Sequence, residues 1–215
     1  MQEGLRERKK RETRERISDI ATGLFIARGF DNVTVAEVAQ AADVSVNTVF
    51  NYFRTKEDLF ADRHDLAVEL PQRVLRERGP GESVAGAFRR DYLDAIDTRD
   101  WRYGLNDGND VFAGVVNASP ALVARLRELG VEREEGLARA LAEELGSDPG
   151  DLAPKVVAAH VLNTTRILSD HAMAMMLAGE PWERIGPSLR AQAERAFDLL
   201  EAGLGDFGAT GSGGR

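Results

Sequence analysis

Two helix-start signals eleven residues apart constrain this chain more than any other feature. Thr34 precedes Val35, with Glu37 three residues on, the spacing at which a hydroxyl and a carboxylate satisfy two orphan backbone N–H groups reciprocally. Ser45 offers a hydroxyl cap to a second segment, which runs to about Tyr52. Ala42-Asp43-Val44 separates the two, so the spacing predicts short helices over about Val35–Ala42 and Ser45–Tyr52 joined by a tight turn. Val38, Ala39, Val44, Val49 and Phe53 sit where such a pair packs together and onto a preceding helix. Val46, Asn47, Thr48, Asn51 and Tyr52 are then left off the buried stripe. A serine-capped helix exposing these groups suits base edges and phosphates, as in a helix-turn-helix whose second helix enters the major groove. The bare pattern fits equally well any three-helix packing unit with a polar surface.

The rest of the chain predicts an all-α fold. No run alternates with period two, Asp107-Gly108 lies among Asn and Asp rather than between β-branched runs, and no repeat is visible. Ile17, Ile20, Ala21, Leu24 and Phe25 form one apolar face of a helix from about Thr13 to Arg28, which Gly29 ends. Thr55-Lys56-Glu57-Asp58 starts the next helix with acidic side chains in its first turn. Pro71 and Gly79-Pro80-Gly81 break the pattern before Ser83, which caps a helix to about Thr98. Residues 99–110 read as loop; Pro120 opens a helix to Leu145 with a bend at Gly130; 146–151 is a break; helices near 152–178 and 182–204 complete the pattern before a flexible tail. The expected organisation is an N-terminal three-helix domain over residues 1–58, a helical domain over 59–204 and a tail over 205–215.

Charge and composition narrow the function classes. The net charge of −8 is carried wholly by residues 64–215, with 17 basic and 25 acidic side chains, whereas residues 1–63 balance at 11 of each. Residues 1–16 hold seven basic side chains against four acidic ones, a mildly basic arm ahead of an acidic body. There is no cysteine, and neither a P-loop, GxGxxG, HExxH nor GxSxG occurs, so an enzyme would need carboxylate pairs that here look like solvated helix faces. His160 and His171 are eleven residues apart on one helix, roughly 16 Å at 1.5 Å per residue, so they cannot share a metal ion alone, and no metal or cofactor is expected. The start lacks the apolar run of a signal peptide, and no stretch reaches the ~18 apolar residues of a membrane span, so a cytoplasmic protein without a membrane partner is expected.

Residues 13–60 resemble the DNA-binding region of TetR-family regulators. Gly29-Phe30, Thr34-Val35, Val38-Ala39, Val44-Ser45, Thr48, Phe53, Lys56 and Glu57-Asp58 stand at the family's intervals. The resemblance implies phosphate contacts for Thr34, Ser45 and Lys56, and groove-facing positions for Val46, Asn47, Thr48 and Asn51. Tyr52 stands where the family usually has His. Phe50 replaces a Tyr, keeping the ring without the hydroxyl, and Asp43 replaces the turn Gly, a position that Asp tolerates.

For the C-terminal part the resemblance implies a ligand pocket and a four-helix dimer interface. Ile185, Leu189, Ala193, Phe197 and Leu200, continued by Leu204, form a near-heptad stripe on the last helix. Such a stripe suits either monomer core or a seam between copies, and the resemblance favours the seam. Trp101, Tyr103, Phe112, Asn163, Arg166 and Met173 are candidate ligand contacts, though plain packing or a surface ion pair at Arg166 explains each as well. Residues 119–159 look like those of members proposed to bind acyl-CoA-like ligands. The expected function is a ligand-responsive repressor that binds a palindromic duplex operator as a homodimer and is released by a small, largely apolar effector. A helical interaction protein that no longer meets DNA is the alternative outside the enzymes.

Overall fold

The structure, a computed structural model, describes residues 4–203, without the side chains of Leu5 and residues 63–67. The described residues hold no strand. Their helices are α1 (Leu5–Arg28), α2 (Val35–Ala41), α3 (Val46–Tyr52), α4 (Lys56–Leu66), α5 (Leu70–Arg76), α6 (Val84–Thr98), α7 (Asn109–Asn117), α8 (Pro120–Leu145), α9 (Ala153–Leu177) and α10 (Trp182–Ala202). None of them is long and apolar enough to cross a membrane. The all-α class expected from periodicity is the one observed.

The chain forms two compact units that are not contiguous in sequence. The first takes the residues up to Val68 together with Asp110–Glu132; the second takes Glu69–Asn109 and the residues from Arg133 onward. The boundary expected after residue 58 falls inside α4, and α8 contributes its first half to one unit and its second half to the other. Leu204 and the tail expected over 205–215 lie outside the described residues.

In the first unit, α1 buries Ile17, Ala21 and Phe25 against Val38, Val49, Phe53 and Phe60. Gly29 ends α1 with φ +82°, a conformation that costs a glycine little, and its N–H bonds to the Phe25 carbonyl. Phe30 is thereby turned inward. Its ring lies 4.9 Å from that of Phe25 and 6.2 Å from that of Phe60, and Phe60 stacks on Phe112 of α7 at 4.4 Å. α1 begins eight residues before the expected Thr13, because its first two turns are built from exposed charged residues that show no apolar period.

The second unit is centred on α6, α9 and α10, which bury Phe88, Tyr92, Ile96, Ala158, Val161, Leu168 and Ala172 in one core. Ile185, Leu189, Ala193 and Phe197 belong to that core with no more than 1% of their surface exposed, and Leu200 packs against it. Four of the five residues expected as a seam between copies, Ile185, Leu189, Ala193 and Phe197, are therefore monomer core, whereas Leu200 keeps part of its surface. A side chain with no surface in the single chain has none to offer a partner. Two helices were not anticipated. Pro71 occupies the first turn of α5, where its missing N–H costs nothing, rather than breaking a helix. α7 is nine residues long and follows the Asn/Asp-rich loop directly. Phe197→Ala should destabilise the second unit by about 3–5 kcal/mol in urea unfolding followed by circular dichroism. A loss below 1 kcal/mol accompanied by a smaller sedimenting species would return this stripe to an interface.

Candidate nucleic-acid interface

The two short helices are fixed at their starts by the expected hydroxyls. The Glu37 N–H donates to Thr34 Oγ1 at 3.2 Å, and the Thr34 N–H donates to Glu37 Oε2 at 2.8 Å, a complete capping box. Arg28, at the end of α1, donates to Glu37 Oε1 at 2.6 Å. The Thr34 N–H, the Arg28 guanidinium and the Thr34 hydroxyl together hold the Glu37 carboxyl down at about 2, from an ordinary 4.5. A depressed carboxyl stabilises above its unfolded value, so this cap is fully formed above pH ~4.5 and is lost only as pH falls toward 2. At α3 the Thr48 N–H donates to Ser45 Oγ at 3.0 Å, and the two hydroxyls lie 2.8 Å apart. Asp43 adopts φ +52° in the turn between the helices, so the left-handed position survives the replacement of glycine.

These caps orient α3. Its inward face is Val49, fully buried, followed by Phe53 in the cap position. Its outward face is Val46, Asn47, Phe50 and Asn51, with Phe50 half exposed at 50%. Thr48 and Tyr52 lie at the margin, half-buried. Thr34 is exposed beside the start of α2, although Glu37 holds its hydroxyl. Of the residues expected to face the groove, Val46, Asn47 and Asn51 share one exposed face with Phe50, whereas Thr48 lies at its margin; Thr34 and Ser45 stand at the starts of α2 and α3.

Lys56 is placed differently from the expected phosphate contact. It is half-buried, and its ammonium donates to the Phe30 carbonyl at 2.6 Å while lying 4.2 Å from the Phe30 ring centre and 5.7 Å from that of Phe25. It joins the start of α4 to the turn after α1. Two carboxylates of α4, hardly foreseeable from spacing, complete the support. Asp62 takes Arg14 of α1 at 2.7 Å, and Asp58 takes Arg125 of α8 at 2.9 Å. Asp58 also caps Thr55, exchanging hydrogen bonds of 3.0 and 3.1 Å in the spacing seen at Thr34 and Glu37.

The six candidate ligand contacts are not gathered in one place. Phe112 packs in the first unit's core. Arg166 donates to Asp170 and Asn163 of its own helix, at 2.6 and 2.7 Å, on the exposed face of α9. Trp101 is exposed, and Met173 is half-buried outside the core on which Met175 and Met176 pack. Tyr103 alone sits in a polar cluster, half-buried against the second unit's core. Its hydroxyl donates to Asp91 at 2.7 Å, Arg102 bridges Asp91 and Asp100, and its ring meets Tyr92 at 4.8 Å. Burial pushes the Tyr103 hydroxyl well above its ordinary pKa, so it remains a donor. Nothing in the spacing of Asp91 and Arg102 along the sequence foretells this cluster. Lys56→Ala should lower the first unit's stability by about 1–2 kcal/mol while leaving the salt slope of DNA binding unchanged. A slope lower by one unit with unaltered stability would make Lys56 a phosphate contact instead.

Comparison with known proteins agrees with this geometry. Residues 17–62 match the family described as bacterial regulatory proteins, tetR family. The chain is 31% identical over 173 residues to the HTH-type transcriptional regulator TcmR of Streptomyces glaucescens, spanning 77% of this chain and 75% of that one. Among solved structures it resembles NalD, the secondary repressor of the MexAB-OprM multidrug efflux pump in Pseudomonas aeruginosa, with a TM-score of 0.55 at 14% identity over 88% of this chain and 97% of that one. It resembles the SmeT–triclosan complex equally, with a TM-score of 0.55 at 18% identity over 89% and 90% of the two chains. At these identities the structures speak to the fold, whereas the TcmR match and the α2–α3 motif speak to descent. The chain belongs to the TetR family of helix-turn-helix transcriptional regulators: it is a DNA-binding protein and not an enzyme.

Proposed function

We propose that this chain is a ligand-responsive repressor that binds a palindromic operator as a homodimer, reads it through α3, and leaves it when a small, largely apolar effector binds the second unit. The observation that carries the reading is the exposed face of α3, Val46, Asn47, Phe50 and Asn51, on a helix capped by Ser45 and anchored by Val49. Asparagine amides offer a donor and an acceptor side by side, which matches the adenine edge in the major groove, and an aromatic ring suits a thymine methyl. Thr34, Ser45, Thr48 and Tyr52 flank that face, where hydroxyls suit phosphates. The protein works in the cytoplasm with its DNA and needs no cofactor beyond the effector.

The homodimer reading rests on the surface beside the buried stripe, which shares only Leu200 with it. α9 and α10 leave a groove of about 490 Å³ whose lining is largely apolar, with Ile167, Leu199 and Ala196 beside His160, Thr164 and Gly203. Ile167 and Leu199 are 53% and 41% exposed, a cost that a second copy laid across the groove would remove. Two copies are also what a palindrome requires, since its half-sites recur one helical turn apart, ~34–36 Å. The effector reading rests on the half-buried polar cluster around Tyr103 beside an apolar core, and on analogy with SmeT, whose structure is a triclosan complex. Repression rests on analogy with NalD. Whatever effector binds, linkage requires that DNA weaken it by the factor with which it weakens DNA.

Two measurements test these parts separately. Asn47→Ala and Asn51→Ala should each relax preference at one base pair per half-site, costing roughly 1–3 kcal/mol, in a position-by-position binding profile on DNA selected from genomic fragments. Unchanged profiles for both variants would remove α3 as the reader. Ile167→Glu, unlike Phe197→Ala, should leave circular dichroism intact while sedimentation reports a monomer with weakened operator binding. An intact dimer carrying that charge would place the pairing surface elsewhere.

A further inference from the structure

The two ends of α3 are held by different means. The helix is seven residues long, and one so short has little stability of its own. Its start is fixed from within, because Ser45 Oγ accepts the Thr48 N–H at 3.0 Å. At its end, Phe53 leaves the helix with extended backbone, φ −133° and ψ 127°, after its N–H has bonded to the Val49 carbonyl at 3.0 Å. The carbonyls that follow that of Val49 stand at the negative end of the helix dipole. Val46–Tyr52 contains no basic side chain to answer that charge.

The cation comes from α1. Arg14 Nη1 donates to the Tyr52 carbonyl, the last of α3, at 3.4 Å, and the guanidinium lies 5.0 Å from the centre of the Phe53 ring. A long side chain loses much freedom when it is held in one place, and a third group holds this one. Arg14 Nε and Nη2 both lie 2.7 Å from Oδ1 of Asp62, a residue of α4 with 5% of its surface exposed. The planar fork thus engages α4 along one edge, the residue after α3 on its face, and the end of α3 at its other edge. Asp62 fixes Arg14, and Arg14 fixes the last turn of α3.

That turn carries one of the two asparagines. Asn47 stands two residues after the Ser45 cap, in the first turn, whereas Asn51 immediately precedes Tyr52. Both are exposed on the face proposed to read bases. A side-chain amide discriminates between bases only while the backbone beneath it holds its donor and acceptor in register.

We infer that Arg14, oriented by Asp62, is a positioning residue for specificity: it clamps the C-terminal turn of α3 and so sets the discrimination exercised by Asn51, without touching DNA itself. The inference rests on the proposed reading by α3 and divides that reading between a self-capped first turn and a last turn capped from α1 and α4. Without the clamp the ordered last turn is one state among several, and affinity for the matching base falls by the fraction that stays ordered.

The experiment compares wild type with Arg14→Gln/Asp62→Asn, as full chains, on a duplex enriched from genomic DNA and on its single-base variants. The pair is changed together because Arg14→Gln alone would leave a buried carboxylate unpaired; circular dichroism verifies the fold. Preference at the base pair that Asn51→Ala relaxes should fall about tenfold. Preference at the base pair that Asn47→Ala relaxes should stay within about twofold, and the slope of log affinity against log salt should equal that of wild type. Amide exchange should quicken at Phe53, whose N–H closes the last turn, and stay unaltered at Ala21 and Phe25 in the buried part of α1. If the double variant does not fold, Arg14→Lys, which keeps the ion pair but lacks the planar fork, is read in the same way. An equal loss at both base pairs, with exchange rising across α1 as well, would make the pair a general stabilising contact and overturn the inference. A salt slope lower by about one unit would make Arg14 a phosphate contact and overturn it too. Undiminished preference at the Asn51 base pair would overturn the clamp while leaving α3 as reader. If Asn51→Ala relaxes no base pair in the wild-type background, the reading by Asn51 falls and the clamp falls with it.

Discussion

Everything the first unit presents depends on one inward turn, in which Gly29 at φ +82° sends Phe30 back under α1. The Phe30 ring meets Phe25 and Phe60, which binds α1 to α4, and its carbonyl receives the Lys56 ammonium, which fixes where α4 begins. A side chain at position 29 would have to adopt a left-handed backbone and would meet Asn32 at 3.3 Å. The turn also delivers the chain to Thr34 next to Arg28, so that the capping box of α2 is locked to the end of α1 by an ion pair. α3 is held in turn by its contacts with α2 and α1. The orientation of the exposed face of α3 is therefore inherited from an interior aromatic cluster.

Parts of the molecule governed by local rules were legible from sequence. Thr34 with Glu37, Ser45 and Ser83 each cap the helix expected of them, because capping is decided within four residues. The split of α3 into Val49 inside and Asn47 and Asn51 outside follows from its period and from its short length. What failed was anything that depends on a partner distant in the chain. Periodicity on α10 announced that Ile185, Leu189, Ala193 and Phe197 face something apolar, and it is silent on whether that is α6 and α9 or another copy. Lys56 illustrates the same gap. A lysine at a helix start suits a phosphate on general grounds, yet the chain placed the Phe30 carbonyl and the rings of Phe30 and Phe25, twenty-six and thirty-one residues earlier, in its reach.

The two units differ in how their polar groups are used. In the first, buried acids on α4 are met by arginines from other helices, Arg14 for Asp62 and Arg125 for Asp58, so the packing of α1 and α8 onto α4 is specified by geometry as well as by apolar contact. In the second, half-buried charges gather on one side of α6, where Asp91 receives both Arg102 and Tyr103. α8 is an unbroken helix whose residues are divided between the two units.

The half-exposed Phe50, with Val46 one turn before it, keeps an apolar surface wetted in the free protein. Hydrated apolar surface raises heat capacity, and covering it lowers heat capacity. A complex in which α3 sits fully in a matching groove dries these two side chains, whereas a protein merely sliding on phosphates leaves them in water. The two modes then carry different thermal signatures: the enthalpy of the fitted complex grows more negative on warming, and that of the sliding one stays nearly level. The proposed reading by α3 therefore carries a heat-capacity signature that phosphate contact alone would lack.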